Sequence, residues 1–178
     1  MLADQCTLGF RALELTDLSL LHRWLSEPCV LRWYAKHAYS PNEVAAKYTP
    51  RIEGRDPVHV FIAAADSEPV GLLQTYWLSE FLDYAALVGA APSWAGVDFF
   101  IGEPEHRARG LGAKLLDQFV REEVFASLKA DTCISGPSPT NVKSVRTLQR
   151  AAFTYLRTIE LSTGEVERVM IRSSQDAA

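Results

Sequence analysis

The chain has 178 residues, 48% of them apolar and 22% charged, a composition that supports a folded core without covalent or metal staples. Its formal net charge of −4 at pH 7 and pI of about 5.6 exclude the basic field that binds nucleic acid or an anionic membrane surface. Cys6, Cys29 and Cys133 are scattered, with no CxxC pair and no histidine at ligand spacing, so neither a disulfide framework nor a metal site is expected.

The opening stretch MLADQCTLGFRAL lacks a basic-then-apolar leader pattern. No apolar run approaches the ~18 residues of a membrane span. The expectation is one domain over residues 1–178, in the cytoplasm, as a monomer or homodimer. In chain order, LTDLSLLHRWL puts Leu18, Leu21, Trp24 and Leu25 on one helical face, capped by Thr16 or Asp17 and ended near Ser26 ahead of Pro28. SPNEVAAKY opens with Ser40, Pro41 and Glu43, a capping box with proline at the first helical position. Residues 58–65 and 69–78 are apolar runs parted by Asp66-Ser67-Glu68, which predicts an antiparallel hairpin.

Residues 84–96, rich in Ala, Gly and Pro, are expected to form a loop leading into a strand over 97–103. LGAKLLDQFVREEVF then predicts a helix packed on a sheet through Leu111, Leu115, Phe119 and Phe125. DTCIS is a short strand, and NVKSVRTLQRAAF a helix capped by Thr140 or Asn141. TYLRTIEL and EVERVMIR form a closing hairpin through Ser162-Thr163-Gly164. The order describes a mixed α/β domain with a parallel crossover through residues 97–135.

The stretch EHRARGLGAKLL, residues 105–116, is chemically pointed. Glycines let the main chain approach a ligand closely. The first amides of a helix have no intrahelical partner and carry the positive end of its dipole. With Arg107, Arg109 and Lys114 alongside, the turn suits an anion, most naturally a pyrophosphate. It has neither the GxxxxGK[ST] of a nucleotide-hydrolysing loop nor GxGxxG. A plainer alternative makes it a solvated basic helix start.

The pattern [RQ]xxGx[GA] between strand and helix resembles the coenzyme A loop of the GCN5-related N-acetyltransferase (GNAT) superfamily. NVKSVRTLQRAAF is similar to that superfamily's second signature, here Asn141, Ala151, Ala152 and Phe153. The resemblance implies an α/β GNAT fold: a mixed central sheet splayed at the acetyl-CoA site, with helices on both faces. It implies acetyl-CoA as cofactor, held by Phe100 and Ile101 of the strand, by Arg107, Ala108, Arg109, Gly110, Leu111, Gly112, Ala113 and Lys114, and by Asn141.

Four further pieces resemble the bacterial aminoglycoside 6'-N-acetyltransferases. WLSEPCVLRWYA ends in the aromatic pair Trp33 and Tyr34. EPVGLLQTYW carries Gln74 and Tyr76, Asp83 and Asp98 fall at that group's acidic positions, and GPSPTNVKSVR is similar to its Pro-Ser-Pro-x-Asn helix entry. The resemblance implies a drug-resistance enzyme whose acceptor is a small-molecule amine, with Trp33, Tyr34, Tyr76, Glu80, Asp83 and Asp98 lining the substrate site. A hydroxyl-rich polycation calls for carboxylates against its ammonium groups and aromatic faces against its sugar rings. Tyr76 and Trp77 point to opposite faces of one strand, so at most one of them lines a cleft.

Asp98 sits in an otherwise apolar strand, where a carboxylate is costly to bury without a partner. Either it bonds loop amides near the strand start, or it orients the acceptor amine and takes its proton. An alkylammonium cannot attack a thioester until that proton leaves. Two positions depart from the family pattern: Leu148 stands where many relatives have a tyrosine for the departing thiolate, and Gly136 where the aminoglycoside group carries an aspartate. Alternatives are a siderophore-pathway acyltransferase acting on hydroxylated lysine or ornithine, with His106 as its histidine, and a non-catalytic coenzyme A-binding module.

Overall fold

A computed structural model describes residues 6–107 and 110–177. Ala108 and Arg109, two of the expected cofactor contacts, lie outside the described residues. Seven strands form one mixed sheet: β1 (Leu8–Ala12), β2 (His59–Ala65), β3 (Glu68–Trp77), β4 (Trp94–Ile101), β5 (Thr132–Ser135), β6 (Thr154–Glu160) and β7 (Val166–Ser173). Their order across the sheet is β1-β2-β3-β4-β5-β7-β6. β4 and β5 run parallel, as the crossover predicts, while β1–β2, β5–β7 and β6–β7 are antiparallel. This is the α/β fold implied by the motifs.

Described residues cluster into two compact units, 6–74 with 99–107 and 75–98 with 110–177. In the first, α1 (Leu18–Leu25) packs on α3 (Pro41–Ile52) and buries Leu21, Trp24, Leu25, Val44 and Tyr48. The Ser40 capping box is complete: Ser40 Oγ accepts from the Glu43 amide, and the Glu43 carboxylate accepts from the Ser40 amide at 2.7 Å. Between these helices, α2 (Pro28–Val30) runs into a π-helical turn over Leu31–Ala35. The β2–β3 turn uses Asp66 and Ser67, both at positive φ.

In the second unit, α5 (Leu111–Phe119) packs on α6 (Val142–Arg150), and the β5–β7–β6 ladder buries Ile134, Ile159 and Val169 in a core with Leu78 and Val88. Asn141 caps α6, its Oδ1 accepting from the Ser144 amide at 3.2 Å.

Four expectations need correction. β1 is a strand that the pattern did not announce, because its five residues show no clean alternation of burial. The expected loop over 84–96 contains α4 (Leu82–Val88), since its alanines favour a helix as readily as a loop and Val88 is buried against the core. The strand expected from residue 97 begins at Trp94, and it stops at Ile101. The long helix from Leu111 also changes character, turning π-helical over Val120–Ser127.

Candidate active site

In the first unit the residues of interest lie at the end of β4, just after it and in the turn over Leu31–Ala35; in the second they lie on the first part of β4 and on α4, α5 and β7. The β4–β5 register runs only from Trp94↔Thr132 to Gly96↔Ile134, and β4 continues to Ile101. The two parallel strands therefore part at Gly96, which is the splay the motifs imply. Side chains alternate along β4, so Gly96, Asp98 and Phe100 share one face.

In the first unit, Phe100 is buried and contacts two aromatic rings edge-on: Trp24 at 6.2 Å and Tyr34 at 4.7 Å between centroids. Tyr34 and Trp33 are presented by the π-helical turn, both half-buried, and Arg32 lies over the Trp33 ring at 4.6 Å. The turn thus holds Tyr34 against Phe100 of β4. Past the strand, Arg107 is folded onto it. Nε donates to the Ile101 carbonyl at 3.0 Å, Nη2 to the Gly102 carbonyl at 2.6 Å, and Nη1 lies 3.4 Å from the Glu27 carboxylate. Its guanidinium fastens the end of β4. Glu103 is likewise committed, accepting from Trp24 Nε1 at 2.8 Å, and Arg23 holds its carboxyl below the usual range.

In the second unit, Gly110 precedes α5 with φ 78°, a left-handed conformation that glycine adopts without strain. Among the described residues, an added Cβ there would meet nothing within 4 Å and no side chain caps the helix start. The opening turn of α5, Leu111 to Lys114, thus presents an open, uncapped helix start with the exposed Lys114 at its edge. This donor set suits an anion and fits the diphosphate of coenzyme A.

The same unit gathers a polar group around Asp98. The Tyr76 ring lies on Gly96, and Thr75 Oγ1 donates to the Gly96 carbonyl at 2.9 Å. Phe81 packs edge-on against Tyr76 at 5.0 Å. Asp98 is half-buried. Burial raises the Tyr76 phenol well above its ordinary value, and the negative charge of Asp98 adds to the effect. Tyr84, on α4, is raised by burial, then by Glu167, to which its hydroxyl donates at 2.8 Å, and by Asp98. Both phenols therefore keep their protons at neutral pH, and Tyr84 acts as a donor.

Glu80 and Asp83 are exposed, in the turn before α4 and in its first turn. Tyr84 and Glu167 were not foreseen. Tyr84 looked like part of a loop, and Glu167 like the solvent side of a hairpin strand. No local pattern joins residues 83 positions apart. Leu148 is fully buried on α6, while Tyr155 is exposed on β6, bonded to Thr158. Burial pushes the Cys133 thiol up, so it is no nucleophile at neutral pH.

The model of the acetyltransferase (GNAT) domain matches residues 14–161, and the chain belongs to that family. It is an acyltransferase with acetyl-CoA as donor. Aminoglycoside N(6')-acetyltransferase type 1 of Klebsiella pneumoniae is 26% identical over 158 residues, 83% of this chain and 74% of that protein. The structure of AAC(6')-Ib in complex with paromomycin and acetyl-CoA superposes with a TM-score of 0.81 at 22% identity, covering 95% of this chain and 94% of that one. AAC(6')-Ib with coenzyme A and kanamycin gives 0.80 at 24%, covering 95% and 96%. Among the described residues, no helix is long and apolar enough to cross a membrane.

Proposed function

We propose that this chain transfers the acetyl group of acetyl-CoA to a primary amine of an aminoglycoside, the 6'-amino group, by direct attack in a ternary complex. The observation that carries the reading is the placement of Asp98 beside Gly96 and Tyr76 on one face of the splayed strand. A carboxylate there meets two needs of a polycationic acceptor. It attracts the ammonium form, and it removes the proton that blocks attack.

Bound acetyl-CoA supplies an activated thioester carbonyl. The amides of α5 and Lys114 hold the diphosphate, to which the charge of Arg109 adds, and Phe100 and Ile101 offer main-chain groups to the cofactor arm. Arg107 serves by keeping the end of β4 in place. Asn141 sets the start of α6. On the acceptor side, Asp98 orients the amine and takes its proton. Tyr76 supplies a ring face and a hydroxyl donor, Trp33 and Tyr34 supply aromatic surface, and Glu80 and Asp83 supply outlying negative charge. With Leu148 in the middle of α6, the departing thiolate takes its proton from water, which a thiol pKa of about 8.5 permits. Residues 1–178 act as one acetyltransferase domain, and aminoglycoside resistance in the cytoplasm is the role this reading gives the protein. The relatedness to named aminoglycoside acetyltransferases supports it.

The test is a thiol-release screen with acetyl-CoA against kanamycin-type drugs, hydroxylysine, polyamines and peptide N-termini. Turnover with the drugs at the lowest KM is expected. Turnover confined to hydroxylysine would transfer the enzyme to siderophore-type chemistry, and cofactor binding without thiol release would leave only a binding module.

A further inference from the structure

Glu167 reaches the Asp98 group from β7, where it is half-buried two residues before the fully buried Val169. Its carboxylate is fixed in place. The Tyr84 hydroxyl donates to Oε2 at 2.8 Å, so α4 clamps a side chain that a hairpin strand would otherwise leave to sway. The space it enters exists because residue 136 is glycine. A Cβ there would collide with Glu167 Oε2 and stand 2.8 Å from the Tyr84 hydroxyl. Any larger residue at 136 would push the carboxylate out.

The placement has an electrostatic consequence. Asp98 and Glu167 both act on Tyr76 and on Tyr84, so two acids address the same pair of phenols. The phenols are neutral, and Tyr84 donates to Glu167. Tyr84 takes one of the roughly four acceptor positions of the Glu167 carboxylate. Two negative charges about one pair of phenols have the sign to attract a ligand that carries more than one cation.

We propose that Glu167 is a substrate-binding, specificity-determining residue: its carboxylate receives an ammonium group of the polycationic acceptor other than the amine from which Asp98 takes the proton. The inference rests on the amine-acetyltransferase reading above. Asp98 then acts on the reacting nitrogen, and Glu167 selects acceptors that carry a second cation at the right separation. A monoamine gains nothing from it.

The test compares wild type, Glu167→Gln, Tyr84→Phe and Gly136→Ala, each saturated with acetyl-CoA, against kanamycin and against the monoamine 6-amino-6-deoxyglucose. KM is read by thiol release, and Kd by calorimetry with coenzyme A replacing acetyl-CoA so that no acetyl transfer occurs. Glu167→Gln should raise KM and Kd for kanamycin about tenfold or more, as expected for losing a charge-assisted contact, and leave those for the monoamine within about twofold. Tyr84→Phe should move them the same way by less, and Gly136→Ala should reproduce the selective loss by displacing the carboxylate. Unchanged acetyl-CoA affinity and a near-native melting temperature show that the variants are folded. Kanamycin constants that stay within twofold in Glu167→Gln, or rise equally for both acceptors, overturn the proposal while wild-type turnover keeps the parent reading intact. A wild type that acetylates none of the amines overturns both.

Discussion

The ring of Tyr76 lies against the bare α-carbon of Gly96, so close that a methyl group at residue 96 would stand 2.5 Å from Cε2 and Cζ and 2.8 Å from the hydroxyl. Atoms never approach that closely, so Gly96→Ala must move the ring or the strand. Thr75 holds the strand at the Gly96 carbonyl, which leaves the ring to move, and Phe81 on its edge limits where it can go. The expected result is a loss of stability of about 1–3 kcal/mol, the usual range for overpacking. Acceptor KM should rise by about tenfold, the scale of one lost ring or hydroxyl contact, with acetyl-CoA affinity retained. Calorimetry and steady-state kinetics separate the two.

Asp98→Asn keeps the shape of the side chain and removes its basicity. Turnover with an aminoglycoside should fall about 10²-fold or more, the usual scale for losing a general base. Acetyl-CoA affinity should be unchanged. Wild-type turnover in this variant would assign Asp98 to the strand's own architecture.

Gly110→Val tests the phosphate turn. At φ 78° a β-branched residue is strained, although nothing within 4 Å obstructs its Cβ. The turn must therefore change conformation rather than merely crowd. Isothermal titration should show acetyl-CoA binding weakened about tenfold or more, since roughly 1–2 kcal/mol of backbone strain falls on the helix start. Equal affinity in both proteins would remove this turn from the cofactor site.

Arg11 and Asp17 tie β1 to the start of α1 through two hydrogen bonds of 2.7 Å, and Asp17 also accepts from the Glu14 amide. The Arg11 guanidinium, then the Glu14 amide, holds the Asp17 carboxyl below its ordinary value against the opposing effect of burial. In the unfolded chain Asp17 takes up a proton near pH 4; in the fold it does so only at lower pH. Its contribution is therefore complete above about pH 4 and disappears as pH falls through the folded value. Because Arg11 is half exposed, about 1 kcal/mol is expected. Asp17→Asn should be less stable than wild type by that amount at pH 7 in urea titrations, and the gap should close as pH falls through the folded Asp17 value.

What could be read from the sequence was local. The Ser40–Glu43 box, the Gly110 turn and the Asn141 cap each declare themselves within four residues, because hydrogen bonds between near neighbours follow from residue type and spacing. The Asp98 strand was legible as an acid in an apolar run. The fixing of Arg107 on the Ile101 and Gly102 carbonyls was not, since an arginine in a glycine turn looks the same whether it faces a phosphate or its own chain. Glu167 was invisible for a different reason. Its role depends on an α4 hydroxyl and on an absent side chain at Gly136, relations that only tertiary packing creates.

The central claim is that an amine of an aminoglycoside is acetylated with Asp98 as the base. It is tested most directly by nuclear magnetic resonance of the product formed from acetyl-CoA and kanamycin by wild type and by Asp98→Asn. The account predicts a single N-acetyl group on the 6'-nitrogen from the wild type and at most a trace from the variant in the same time. Acetylation elsewhere on the drug, no acetylated drug at all, or equal product from both proteins would contradict it.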